Sequence, residues 1–124
     1  MIPKDLSVDN ISKIYKKIRP FINKTPFLKC SDDIDNFFST NLFFKCEFLQ
    51  KSGSFKARGA INNIISQDQN KFNKGITAVS AGNHAIAASF VANQFKLKNK
   101  IFLYESANKY SCLLYTSPSP RDQV

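Results

Sequence analysis

The apolar positions of this chain change period several times, and each change predicts an element. Val8, Ile11, Ile14 or Tyr15, and Ile18 recur at helical spacing, with Ser7 placed to cap the start and Pro20 to close the end. Thr25–Cys30 reads as extended, because Pro26 disfavours helical backbone at the residue before it. Asn41–Cys46 ("NLFFKC") is a short, aromatic-rich apolar run that predicts a buried strand. From Ser54 the helical period returns, with Ala57, Ala60 or Ile61, and Ile64 on one face. Gly75–Ser80 predicts a second strand, Asn83 to about Phe95 a second helix with Ala88, Val91 and Phe95 in a stripe, and Lys100–Glu105 a third strand. Strand, helix, strand, helix, strand is the order of an α/β fold with an open parallel sheet and flanking helices. No internal repeat is present.

Two of the predicted strands hand over to helices through small polar turns, Lys51-Ser52-Gly53-Ser54 and Ser80-Ala81-Gly82-Asn83. In parallel α/β sheets ligands sit at the carboxyl ends of strands, where helix N-termini favour anions. The second turn is therefore placed to hold a carboxylate or phosphate on Ser80, Gly82 and Asn83, and Lys56 follows directly on the first. Taken as bare patterns, a Gly-Asn turn also serves as a simple cap and bend, and a lysine in a first helical turn also serves as a solvated surface residue. The segment around Lys56 lacks the spacing of a phosphate-binding Walker loop.

Composition narrows the classes. The 124 residues suffice for one small domain, and the sequence holds no long apolar run and no secretory-type start. Cys30, Cys46 and Cys112 form no CxxC pair and no metal-ligand cluster with His84, the single histidine, so no metal is expected and a reducing, cytoplasmic setting fits. The net charge of +9 would suit an anionic partner. The lysines are scattered, however, and Lys, Asn, Ile and Phe all have AT-rich codons. Genome composition thus accounts for the charge, and neither a nucleic-acid nor a membrane partner is expected.

The two turn motifs taken together, "LFFKCEFLQKSGSFKARGA" and "SAGNHA", resemble the fold-type II pyridoxal-phosphate enzymes, in the branch of threonine/serine dehydratases and serine racemases. The likeness runs from Ile11 to Lys109, and the Lys56-Ala57-Arg58 order is that of this branch. The resemblance implies a tryptophan-synthase-beta-like fold. Residues 1–70 would begin the large domain and 71–111 the small one. It implies pyridoxal 5'-phosphate as cofactor, with Lys56 as the Schiff-base lysine, Phe55 packing near the cofactor ring or the core, and Asn83 bonding the ring hydroxyl oxygen. Ser80, Ala81, Gly82, Asn83 and His84 would grip the substrate carboxylate, with His84 a structural hydrogen-bonder before a base.

By the same resemblance the substrate is a small amino acid and the complete protein a homo-oligomer. The expected reaction is β-elimination on L-threonine or L-serine, giving a 2-oxo acid and ammonia, with the chain as given inactive by itself. Serine racemases carry a serine immediately before the Gly-Asn-His, and this chain has Ala81 there. Serine racemase and 3-hydroxyaspartate dehydratase stand as alternatives. A non-enzymatic basic α/β binding module stands as another. Residues 112–124 are expected to be foreign: the run Cys112–Asp122 can be encoded by a transposase-type sequencing adapter, which would end the native sequence near Ser111 in mid-gene.

Overall fold

The structure, a computed structural model, describes residues 6–80 and 82–103. Helix α1 spans Val8–Ile18. The Ser7 hydroxyl accepts from the Asn10 N–H at 3.3 Å, Asp9 lies in the first turn, and Lys16 and Lys17 lie in the last. Cap and charges thus complement the orphan backbone groups and the helix dipole. Pro20 falls inside a single 3₁₀ turn, Arg19–Phe21, that ends the segment.

Strand β1 (Phe27–Lys29) pairs antiparallel with β2 (Phe43–Lys45), matching Leu28 to Phe44. Between them lies α2 (Asp32–Phe38), a helix that no apolar period announces. Its three first-turn aspartates, Asp32, Asp33 and Asp35, suit a helix N-terminus. Asp35 also accepts from the Leu42 N–H at 2.8 Å, which directs the chain back into β2. Helix α3 (Lys56–Ile65) leads to β3 (Ile76–Val79), helix α4 (Asn83–Gln94) follows, and β4 (Asn99–Phe102) lies parallel to β3 with Thr77 opposite Lys100.

The parallel β3–α4–β4 unit agrees with the periodicity, and Glu105, the end of the predicted third strand, lies outside the described residues. The run 41–46 behaves differently. Among the described residues it joins β1 in a separate antiparallel ribbon and not the β3–β4 pair. An apolar run announces a strand but does not choose its partner, and here the α2 connection brings the chain back alongside itself. Nor is the strand buried. Phe43 and Phe44 are 50% and 60% exposed, and Phe27 stacks on Phe43 at 5.2 Å between ring centroids. A two-stranded ribbon has no second layer to bury its faces against.

The core lies between the helices. Ile18, Ile61, Ile64 and Val91 form one buried cluster, while Ala57, Ala85, Ala87 and Ala92 let α3 and α4 approach closely. Ile61 is fully buried. Ile61→Ala is expected to destabilise the fold by about 2–5 kcal/mol, through lost burial and an unfilled cavity. Urea unfolding would read this, and a midpoint like that of the parent would contradict the core assignment. At the entry to β3, Gly75 has φ +86°, and a Cβ there would lie 2.3 Å from the Lys98 carbonyl oxygen, so the pairing of β3 with the segment before β4 requires glycine.

Candidate active site

The turn that delivers Lys56 is fastened to a distant segment. The buried Gln50 side-chain carbonyl accepts from the N–H groups of Asn23 (2.8 Å) and Lys51 (3.0 Å), and its amide donates to the Asn23 carbonyl at 3.0 Å. The Gln50 backbone carbonyl accepts from Gly53 N–H at 2.7 Å, closing a turn in which Gly53 takes φ +70°. Helix α3 then opens at Lys56 itself, two residues later than the periodicity suggests, with the Ser54 hydroxyl accepting from the Lys56 N–H at 3.4 Å. Lys56 is exposed, and its amine lies 5.0 Å from the centroid of the Phe55 ring. Phe55 is itself exposed and takes no part in the core of the described residues.

The second turn leaves β3 at Ser80, whose N–H donates to the Phe102 carbonyl at 3.1 Å and whose hydroxyl accepts from the Gly82 N–H at 3.3 Å. Ala81 lies outside the described residues. Gly82, in extended backbone, is the N-cap of α4, and among the described residues nothing lies within 4 Å of a Cβ built there. Asn83 and His84, in the first turn of α4, are exposed.

The two helix starts meet at one cavity of about 300 Å³, lined by Phe55, Lys56, Gly59, Ala60, Asn63 and His84. Lys56 and His84 are thus brought together. Ser80, Gly82 and Asn83 do not line this cavity, but precede His84 around the start of α4. The volume suits a small molecule.

Glu47, Thr25 and Arg58 form a cluster that motif reasoning passes over. Arg58 donates to both Glu47 carboxylate oxygens at 2.8 Å, and the Thr25 hydroxyl donates to Glu47 Oε1 at 2.5 Å. The Arg58 hydrogen bonds hold the Glu47 pKa down at about 2, and burial opposes them. The folded-state pKa is thus below the ordinary value of 4.5, so this carboxylate stabilises the fold fully above about pH 4.5 and ceases to do so as pH falls towards about 2. Urea midpoints across that range should fall more steeply for the parent than for Glu47→Gln, and parallel curves would contradict the pairing.

The site is a primary amine, Lys56, beside a cavity of small-molecule size where α3 and α4 begin. Residues 18–117 match the family profile described as "Pyridoxal-phosphate dependent enzyme", and the chain belongs to that family. It is 43% identical over 83 residues to serine racemase of Arabidopsis thaliana, covering 67% of this chain and 25% of that protein. It is 40% identical over 78 residues to beta-hydroxyaspartate dehydratase of Paracoccus denitrificans, covering 63% and 24%. The solved structure of maize serine racemase superposes with a TM-score of 0.80 at 34% identity, covering 88% of this chain and 33% of that one. The chain thus spans about a quarter to a third of the length of these proteins. The fold-type II fold that the two turn motifs imply is that of these relatives.

The residues fit the family's cofactor. An exposed amine beside a cavity of small-molecule size can condense with its aldehyde. Among the described residues no helix is long and apolar enough to cross a membrane, and no cluster of His, Cys, Asp and Glu could hold a metal ion.

Proposed function

We propose that the complete protein containing this chain converts L-serine or L-threonine to a 2-oxo acid and ammonia. The observation that carries the choice of elimination is the turn before α4. Ala81 has no group that can deliver a proton, and the neighbouring Ser80 lies one position too early to take its place before Gly82-Asn83-His84.

When bound, pyridoxal phosphate supplies an electron sink for the charge left at the α-carbon. Lys56 would hold the cofactor through its amine and would take the substrate's α-proton on its own face. Asn83 would hold the ring hydroxyl oxygen, and Phe55 would lie beside the ring. Backbone and side-chain groups of Ser80, Gly82, Asn83 and His84, with the backbone of Ala81, orient the substrate carboxylate at the helix start. His84 acts there as a hydrogen-bonding group. In this reading residues 1–70 open the cofactor-holding large domain and 71–111 the smaller one.

Racemisation of serine is the second reading, favoured by the likeness to the serine racemases of Arabidopsis and maize. 3-Hydroxyaspartate is a further candidate substrate, from the likeness to the Paracoccus dehydratase. The test incubates the complete gene product and pyridoxal phosphate with each amino acid, following 2-oxo acid by colorimetry and D-serine by chiral chromatography. We expect 2-oxo acid to exceed D-serine roughly a hundredfold, the worth of one positioned acid–base group. Comparable amounts would favour the racemase. Neither product from any substrate would leave a binding module.

A further inference from the structure

Arg58 stands in an electrostatically unfavourable place. It occupies the first turn of α3, where the helix dipole favours acids, yet that turn contains no acidic residue and its N-cap, Phe55, makes no side-chain cap bond. The compensating charge comes from outside the helix. Glu47, in the 3₁₀ turn Glu47–Leu49, meets the guanidinium through two bonds of 2.8 Å, and both side chains are largely shielded from solvent. A forked, shielded pair of this kind is stronger than an exposed surface ion pair. Thr25, itself buried, donates to Oε1, the oxygen that Arg58 Nη2 also reaches, and Lys45 in turn donates to the Thr25 carbonyl at 2.6 Å.

Three consecutive residues of that turn therefore have three different fates. Ala57 is fully buried, Arg58 is clamped to Glu47, and Lys56 is exposed on the cavity. Side chains two positions apart on a helix do not face one another, so Arg58 acts on Lys56 through the backbone of the turn and not by contact. We infer that the Glu47–Arg58 pair, braced by Thr25, is a positioning device that fixes the direction in which the Lys56 amine leaves α3. This rests on the proposed role of Lys56 as the lysine that holds the cofactor.

The test measures Lys56 chemistry and not turnover. In the complete gene product, the Lys56 amine condenses with the aldehyde of pyridoxal phosphate, releasing water. Borohydride then adds hydride to the resulting C=N bond, leaving a stable secondary amine that peptide mass mapping locates. The trapping rate at Lys56 is taken relative to Lys74, an exposed lysine of the same chain. Measurements are made well below each variant's melting midpoint. Glu47→Gln and Arg58→Gln should lower the Lys56:Lys74 ratio about tenfold or more, as misplacement of a reacting group does. Arg58→Lys, which keeps charge but not the fork, should fall between them and the parent. A lowered melting midpoint with an unchanged ratio would overturn the inference, because the pair would then serve stability alone. If the parent itself traps no faster at Lys56 than at Lys74, the proposed role of Lys56 fails and the inference with it. Should Arg58→Gln not fold, Arg58→Lys and Thr25→Val carry the same decision: a lowered ratio supports the device and a parental ratio overturns it.

Discussion

Lys56→Ala is expected to lower turnover of the complete protein by about a thousandfold or more while leaving the fold in place. The proposed mechanism gives this amine two duties, attachment of the cofactor and removal of the α-proton, and a positioned acid–base group alone is worth about 10²–10⁴ in rate. The cost to folding is small. Lys56 is exposed at the first position of α3, makes no ion pair among the described residues, and places a cation where the helix dipole disfavours one. Lys56→Arg separates charge from chemistry, because a guanidinium keeps the charge and cannot act as a nucleophile at neutral pH. It should be as inactive as the alanine variant. Steady-state 2-oxo acid formation, with urea unfolding as the control for fold, makes the measurement. Parental turnover in either variant removes Lys56 from the mechanism.

Ala81→Ser is expected to raise D-serine formation by about tenfold or more while elimination persists. A racemase must deliver a proton to the face of the α-carbon opposite the one from which Lys56 removes it, within hydrogen-bond reach. A methyl group offers none, and Ser80 lies one position too early in the turn to replace it. A hydroxyl at position 81 supplies the missing donor without touching the Lys56 face. Chiral chromatography of D-serine against 2-oxo acid, for parent and variant side by side, reads the outcome. If the parent racemises L-serine as fast as it deaminates it, another residue carries the second proton and elimination is not the main reaction.

Local signals in the sequence were read well where the physics is local. The Ser7 cap, the α1 stripe and the β3–α4–β4 unit depend on neighbours a few positions apart, and period and capping chemistry report them. Helix α2 escaped because its first turn is aspartate-rich and its apolar residues, Ile34, Phe37 and Phe38, make too short a pattern. The antiparallel partner of β2 escaped because strand pairing is a long-range choice. At the site, the two turns and Lys56 are legible as motifs, but their mutual closeness is not: Lys56 and His84, 28 positions apart, share a cavity only through the packing of α3 on α4. In the sequence Arg58 stands out only as part of a motif. Its position in a first helical turn without an acid was the available sign that a carboxylate must reach it from elsewhere, and Glu47 does.

Gly75 stands at the entry to β3, at the far end of the strand from Ser80, yet it governs where the second turn begins. Any side chain there meets the Lys98 carbonyl oxygen, and relief requires the start of β3 to move away from the segment leading into β4. Ser80 ends that same strand, and its N–H is tied to Phe102. A substitution at Gly75 is therefore expected to disturb the proposed site from a distance, through the placement of β3 and through no chemistry of its own.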